Sequence, residues 1–364
     1  MALVKLGDVA REYKATIKNA AGLPVVGLEH LAPRELILES WDSDVETTFT
    51  KGFKKGHILF GRRRAYLKKA AIAPFDGICS GDITVIEAIP EKINPDLLPF
   101  VIQNDALFDF AIGKSAGSLS PRVKWEQLKD YTFELPEMDK QQELVDILTA
   151  ALQTKKAYQR QLAATDELVK SQFIEMFGTP EAPVDGVEYL RLGDVATYVN
   201  GYAFKPEDWG QCGLPIIRIQ NLTGTNEDFN YYDGAYPPKV EINDGDVLIS
   251  WSASLGVYLW TRGKAILNQH IFKVEFDKTP IEKRFFMYAV EQKLEEMSSK
   301  THGSTMKHIV KKDFDNTRIA YPSMQQQTLF AALAEQSDKS KFELEQAIQR
   351  IDNLIKSLIQ QNND

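Results

Sequence analysis

Apolar residues recur every three or four positions along two long stretches of this chain. After Pro136, Leu144, Leu148, Ala151, Tyr158, Leu162 and Val169 form one stripe, interrupted by Lys155, Thr165 and Gln172. After Pro322, Phe330, Ala334, Leu344, Ile348, Ile351, Ile355 and Leu358 form a second, interrupted by Ser337 and Lys341. This spacing puts such residues on one face of an α-helix. Neither stretch contains Gly or Pro until Gly178-Thr179-Pro180 stops the first, so long helices are predicted over 136–178 and 322–361. Forty residues at 1.5 Å each make about 60 Å, more than the diameter of a domain of about 130 residues. Each stripe therefore needs a partner beyond its own domain, and the other helix carries the matching one. The connectivity makes the pair an antiparallel coiled coil with the two domains at opposite ends. The polar seam positions Lys155, Gln172, Ser337 and Lys341 are expected to cost stability and to fix alignment.

Before each proline the pattern is different. Short β-branched or aromatic runs such as Ile58-Leu59-Phe60, Ile83-Thr84-Val85-Ile86 and Tyr131-Thr132-Phe133 are punctuated by Gly, Pro, Asn and Asp, with helical stretches around Asp96 to Ile112. Val247-Leu248-Ile249, Ile271-Phe272-Lys273-Val274 and Arg318-Ile319-Ala320, with a helix around Ile281 to Ser298, repeat the plan. The likeness extends to the letters. Leu6-Gly7-Asp8-Val9-Ala10 returns as Leu192-Gly193-Asp194-Val195-Ala196, and Gly117-Ser118, Pro136 and Met138 return as Gly303-Ser304, Pro322 and Met324, at an offset of 186. Between these anchors Leu23-Pro24-Val25-Val26 answers to Leu214-Pro215-Ile216-Ile217, and Gly56-His57-Ile58-Leu59 to Gly245-Asp246-Val247-Leu248, with a few residues of drift. A solenoid repeat is about 20 to 50 residues, so each copy is a domain with an appended helix. The fold class expected is α+β: α/β domains over 1–135 and 187–321, separated by two long antiparallel helices in a pseudo-twofold repeat.

Composition narrows the classes. At 43% hydrophobic residues, 364 positions suffice for two ordinary cores. No apolar run of about 18 residues exists, and Met1 to Lys14 lacks the apolar segment of a signal peptide, so a cytoplasmic location without a membrane partner is expected. Cys79 and Cys212 are too few for a disulfide framework and read as structural thiols. The net charge of −8 argues against indiscriminate coating of nucleic acid, so any such contact is localised or shared with a partner.

Catalytic signatures are absent: there is no G-x-x-x-x-G-K-[ST], no G-x-G-x-x-G after a strand, no H-E-x-x-H, no G-x-S-x-G and no [DN]-P-P-[YF]. Among the histidines only His302 and His308 are near neighbours, and six residues apart in a loop they do not form a metal pair. No catalytic residue, metal or cofactor is therefore expected in this chain. Basic, aromatic-laced loops stand instead at matching places. Lys51, Lys54 and Lys55 precede, and Arg62, Arg63, Arg64, Tyr66, Lys68 and Lys69 follow, the strand Ile58 to Phe60; Trp251 and Ser252 follow Val247 to Ile249. A second pair of loops carries Lys114, Ser118, Arg122 and Lys124, answered by Lys300, His302, Ser304, Lys307 and His308, with Lys311 and Lys312 beyond. Arg and Lys neutralise phosphates, Arg also bridges guanine O6 and N7, and Ser or Gly N–H groups position phosphates. Two other classes stay open: a coiled-coil scaffold with two peptide-binding domains, and a stand-alone DNA-modifying enzyme of unrecognised type. Cleavage or methyl transfer by the chain alone marks the second, and indifference to duplex sequence the first.

Two α/β domains joined by two long helices, each domain closed by Gly-Ser and then Pro-x-Met-x-x-Gln, resemble the specificity subunits of type I restriction-modification systems over essentially the whole chain. Ile58-Leu59-Phe60-Gly61-Arg62-Arg63-Arg64-Ala65-Tyr66 with Phe75-Asp76-Gly77-Ile78-Cys79-Ser80-Gly81-Asp82-Ile83 resembles one subtype of target recognition domain. Leu248-Ile249-Ser250-Trp251-Ser252-Ala253-Ser254-Leu255-Gly256 with Ala265-Ile266-Leu267-Asn268-Gln269-His270-Ile271-Phe272 resembles another. The resemblance implies a non-catalytic adaptor that reads double-stranded DNA. It implies two modification subunits, carrying S-adenosylmethionine and methylating adenine N6, and through them restriction subunits that use ATP and Mg. Two unlike domains imply a bipartite, asymmetric target whose spacer the coil sets, with half-sites about 34 Å apart.

Overall fold

The computed structural model describes residues 2–17, 22–43, 45–115, 121–300 and 309–360, excepting the side chains at 299, 300 and 360. It divides into two compact units, Met1–Arg160 with Leu344–Asp364, and Gln161–Glu343. In the first the order is β1 (Ala2–Lys5), α1 (Leu6–Val9), β2 (Ala10–Glu12), β3 (Val25–Val26), β4 (Lys51–Phe53), β5 (Ile58–Gly61), β6 (Ala70–Ile72), β7 (Gly77–Cys79) and β8 (Ile83–Ala88). Then follow α2 (Leu98–Ile102), α3 (Asp105–Lys114), α4 (Trp125–Leu128), β9 (Thr132–Leu135) and the start of α5 (Met138–Phe177). An antiparallel sheet runs β2-β8-β5-β6 and a smaller one runs β3-β7-β4, in which β3 and β7 are parallel.

The alternation within β5 explains the layering. Ile58 and Phe60 join a core with Leu98, Phe100, Leu107 and Phe108 of the helices, whereas Leu59 between them joins Val26, Phe53 and Cys79 of the smaller sheet. Successive side chains of a strand point to opposite faces, so a strand apolar at every position needs cover on both. The four-stranded sheet is thus the middle layer, with helices on one side and the small sheet on the other. Cys79 is buried there, which pushes its thiol up to about 12. Cys212 is exposed, and both are free thiols.

The second unit repeats this topology with β10 (Glu188–Arg191), α6 (Leu192–Val195), β11 (Thr197–Asn200), β12 (Leu214–Ile217), α7 (Ile219–Leu222), β13 (Asn230–Tyr232), β14 (Glu241–Ile242) and β15 (Val247–Ser250). It continues through β16 (Gly256–Leu259), β17 (Ala265–Leu267), β18 (Ile271–Glu275), α8 (Lys283–Lys300), α9 (Lys311–Asn316), β19 (Arg318–Tyr321) and α10 (Met324–Gln360). The sheets run β11-β18-β15-β16 and β13-β12-β17-β14, so the plan differs by one added strand, β13. The drift in the repeat offset opens ahead of β12, where 17 residues separate Ala196 from Leu214 and 12 separate Ala10 from Leu23. Again Val247 and Ile249 face one core and Leu248 the other.

Each unit holds part of both long helices, and within each the parts pair antiparallel. In the first, Leu144, Leu148 and Leu152 of α5 share a core with Ile355, Leu358 and Ile359 near the end of α10. In the second, Val169, Phe173 and Phe177 near the end of α5 pack with Phe330 and Ala334 near the start of α10. Ala151, Lys155, Tyr158, Leu162, Thr165 and Gln172, and Leu344, Ile348 and Ile351, are half-buried; Ser337 is buried. Lys155 Nζ donates to Asp352 Oδ1 at 2.7 Å, and Lys341 Nζ donates to Asp166 Oδ1 at 3.0 Å. Lys155 and Lys341 are 186 residues apart, and so are Asp166 and Asp352. The same ion pair therefore occurs once in each unit. Pairs this exposed add little stability, about 0.2 to 1 kcal/mol. A helix shifted by one turn would set each lysine against the apolar seam without its carboxylate, so their expected effect is on alignment.

The signature glutamines close the design. Gln141 accepts the Asn94 N–H and donates to the Pro136 carbonyl, both at 2.8 Å; Gln327 accepts the Glu282 N–H at 2.9 Å and donates to the Pro322 carbonyl at 2.8 Å. Both side chains are buried, so each ties the start of a long helix to its own domain.

One buried histidine is expected to make the first unit acid-sensitive. His57 Nδ1 accepts the Lys54 N–H at 3.1 Å, its ring lies 4.4 Å from Tyr13, and Nε2 is 3.9 Å from Glu87. Burial lowers its pKa against the pull of Glu87 and Asp76, with Lys54 and Arg11 adding to the lowering. The unfolded chain then binds the proton first, so this stability is present above about pH 6.5 and falls as pH drops below it. The melting temperature of the first unit is expected to fall between pH 7 and pH 5, and His57→Gln to shallow that fall. An unchanged slope in the variant counts against His57 as the group responsible.

Candidate nucleic-acid interface

Two unconnected loops meet a third segment at the carboxyl end of β5, and backbone hydrogen bonds join them. The Arg62 N–H donates to the Asp82 carbonyl at 3.0 Å, and the Val123 N–H donates to the Arg62 carbonyl at 3.0 Å. The second unit repeats this at the end of β15: Trp251 N–H to the His270 carbonyl at 3.4 Å, and Ile309 N–H to the Trp251 carbonyl at 3.1 Å. Trp251 thus stands where Arg62 stands, Ser252 where Arg63 stands, and His270 where Asp82 stands. The frame is common and the side chains are not.

In the first unit the frame is cationic. Arg63 and Arg122 form a β-bridge, and both guanidiniums donate to Asp82, Arg63 at 3.4 Å and Arg122 at 2.8 Å through Nε. Arg122 beside it holds the Asp82 carboxyl below the usual range, against the effect of burial, with Arg63 and Arg62 adding to the lowering. Arg62 is half-buried, and its Nε is a buried atom with no hydrogen-bond partner among the described residues. Arg64 and Lys68 take left-handed backbone at φ 55 and 50, which turns the loop sharply on either side of Tyr66. Arg64 and Tyr66 are exposed, as are Lys114, 5.6 Å over the Phe110 ring, and Lys124.

Lys68 and Lys69 are drawn inward. Lys68 pairs with Asp105, which also takes Arg34 at 3.1 Å and Lys356 of α10 at 3.6 Å, and Lys69 Nζ donates to the Leu28 carbonyl at 2.8 Å. These cations brace the loop from beneath. Lys54 likewise pairs with Asp76 at 2.7 Å.

In the second unit the described part of the frame is aromatic, with Lys311 Nζ 5.7 Å over the Phe272 ring. Trp251 is half-buried, stacked on Phe272 at 5.6 Å and edge-on to His270 at 5.6 Å. Ser252 beside it is half-buried. Parallel pairing of β12 with β17 brings Arg218 to the same end, over the Trp209 ring at 4.8 Å. Arg218 Nε, Gln269 Oε1 and His270 Nδ1 are buried without a hydrogen-bond partner among the described residues. Buried polar atoms are almost always satisfied, so their gathering at strand ends, with Arg62 Nε in the other unit, marks these places out. Ser118, His302, Ser304, Lys307 and His308 lie outside the described residues, as does the side chain of Lys300.

Sequence reasoning omitted Asp82, Arg218, Gln269 and His270 from the site. Asp82 and His270 occupy equivalent places in the two quoted strings, just before Ile83 and Ile271, and that alignment was the available signal. Arg218 had none, because only the β12–β17 pairing brings it near.

The arrangement offers donors and stacking faces at the ends of a rigid sheet. Among the described residues no group of His, Cys, Asp or Glu is placed to hold a metal, and no helix is long and apolar enough to cross a membrane.

A family model described as the type I restriction modification DNA specificity domain matches residues 2–164 and again 184–353. The type I restriction enzyme EcoBI specificity subunit of Escherichia coli is 28% identical over 163 residues, 43% of this chain and 34% of that protein. The EcoDI specificity subunit of the same organism is 27% identical over 187 residues, 48% of this chain and 40% of its own length. Each match thus covers well under half of the relative. Among solved structures, a chain from work on complex assembly and conformational transition of the type I R-M system superposes with TM-score 0.59 at 22% identity, covering 99% of this chain and 97% of that one. The type I restriction-modification S subunit from M. genitalium gives 0.55 at 14% identity, covering 98% and 95%. These two likenesses show the fold.

Proposed function

Because the chain belongs to the family of type I restriction modification DNA specificity domains, we propose that it is the sequence-reading subunit of such a system, each unit reading one half of a bipartite DNA target. The observation that carries this is the shared backbone frame with unlike side chains, Arg62, Arg63 and Asp82 in one unit and Trp251, Ser252 and His270 in the other. Equal frames support equal docking on a duplex, and different side chains support different half-sites. The chain itself does no bond chemistry in this reading. Two modification subunits supply S-adenosylmethionine and methylate adenine, and restriction subunits joined through them supply ATP-driven cleavage with Mg. Cytoplasmic DNA is the substrate, and local cations in an acidic chain suit contact shared with those partners.

The deciding experiment is methylome sequencing of a host carrying this chain with its modification partner. A single bipartite, asymmetric motif is expected, and no motif overturns the function. Arg63→Ala is expected to relax discrimination at one position of one half-site, or to weaken binding, by about 1 to 3 kcal/mol; full retention of both moves the reading surface elsewhere. Deleting one heptad at equivalent places in α5 and α10 removes about 10 Å of helix, the length of about three base pairs. The spacer of the methylated sequence is expected to shorten accordingly, and an unchanged spacer removes the helices as its determinant.

A further inference from the structure

Asp82 lies between two arginines contributed by segments on either side of it in the chain. We propose that it is the positioning residue of the first unit's DNA readout: it holds Arg63 and Arg122 as one oriented pair while its charge keeps them from gripping phosphates of any sequence. The inference rests on the reading above that the strand ends face DNA.

The geometry has a definite order from inside to outside. The Asp82 side chain is 19% exposed, while those of Arg63 and Arg122 are 39% and 47% exposed, so the cations cover the carboxylate. Arg122 donates from Nε to Oδ1 at 2.8 Å and from Nη2 to Oδ2 at 3.4 Å, and Arg63 donates from Nη1 to the same Oδ2 at 3.4 Å. Arg122 thus turns its Nε–Nη2 edge to the protein. Its Nη1–Nη2 edge, which can fork onto guanine O6 and N7, shares only Nη2 with the edge held by Asp82 and keeps Nη1 and the second Nη2 hydrogen for a base. A fork fixed beforehand loses less freedom on reading a base.

The charge acts in the same direction. Bare arginines neutralise phosphate at any sequence, and that affinity is what salt weakens. A carboxylate 2.8 Å from one guanidinium and 3.4 Å from the other cancels part of that field and repels a phosphate. A well-formed base contact offsets the penalty, whereas a sequence-blind complex does not, so specificity is gained through a repulsive element. The Asp82 carboxyl, held below its usual range chiefly by Arg122, stays charged at neutral pH. At the equivalent place the second unit has His270 beside Trp251, so the device belongs to the first unit alone.

Enrichment of random duplexes by the full chain with its modification partner reads both half-sites in one measurement. Asp82→Asn is expected to leave one half-site as in wild type and to lose about tenfold in discrimination at one or two positions of the other. It is also expected to bind unrelated duplex more tightly with a steeper salt dependence, and Asp82→Glu to restore most of both. Wild-type discrimination and salt dependence in Asp82→Asn overturn the proposal. Should melting show that Asp82→Asn does not fold, Asp82→Ser decides, because it removes the carboxylate while leaving both arginines in place. The same one-sided loss supports the role of Asp82, and wild-type discrimination removes it. A wild-type chain that enriches no motif overturns the DNA-reading function itself, whatever Asp82 does.

Discussion

Phe330→Ala is expected to destabilise the second unit by about 3 to 5 kcal/mol. Phe330 is fully buried on α10, with ring centroids 5.2 Å from Phe173 and 5.7 Å from Phe177 of α5, and 6.2 Å from Phe285 and 5.0 Å from Tyr288 of α8. Three of these contacts are T-shaped and near-perpendicular, which adds to area burial in each pair. Truncation removes one ring from all four pairs and leaves a cavity that three helices line. Urea unfolding followed by tryptophan fluorescence measures the loss, since Trp209, Trp251 and Trp260 all lie in this unit. The position 186 residues earlier is Leu144, half-buried at the edge of the first unit's core, and Leu144→Ala is expected to cost less than half as much. Equal costs contradict an aromatic knot specific to the second unit.

Gln327→Leu keeps the volume and removes the polarity, and about 2 to 4 kcal/mol is expected to be lost. The Glu282 N–H and the Pro322 carbonyl both lose a buried partner, and each unsatisfied group costs about 1 to 3 kcal/mol. Glu282 also accepts the Phe285 N–H through its carboxylate at 2.6 Å, so the start of α8 loosens with it. Gln327→Glu tests the cause: it keeps the acceptor for Glu282 but sets a buried carboxylate against the Pro322 carbonyl, so at neutral pH it is expected to be no more stable than the leucine variant, and to recover as the carboxyl protonates at lower pH. A leucine variant as stable as wild type shows that water replaces both bonds.

Much of the architecture was legible because it rests on local periodicity. A 3-4 stripe without Gly or Pro leaves the helix as the economical backbone, and the 186-residue offset extends that conclusion to both copies. The alternation of strand cores was visible in Ile58-Leu59-Phe60 and Val247-Leu248-Ile249, though not which face each side chain takes. The seam lysines were seen as interruptions. Their partners Asp166 and Asp352 were not, because each lies on the opposite helix and only the antiparallel register brings it across.

For the candidate site, composition named the cations but not their company. Lys68 and Arg63 look alike in the sequence, yet one is drawn to Asp105 beneath the loop and the other to Asp82 at its rim. Arg218 carried no signal at all.

By itself the sequence determined the two domains, the long helices, the doubled plan and the family resemblance, since these follow from short-range pattern and from matches between the two copies of the repeat. The tertiary structure alone decided that Asp82 joins Arg63 and Arg122 across 19 and 40 residues, and that the pairing of β12 with β17 sets Arg218 over the Trp209 ring. The physical reason is that such meetings depend on strand register and sheet order, in which a shift of one residue turns every side chain to the other face.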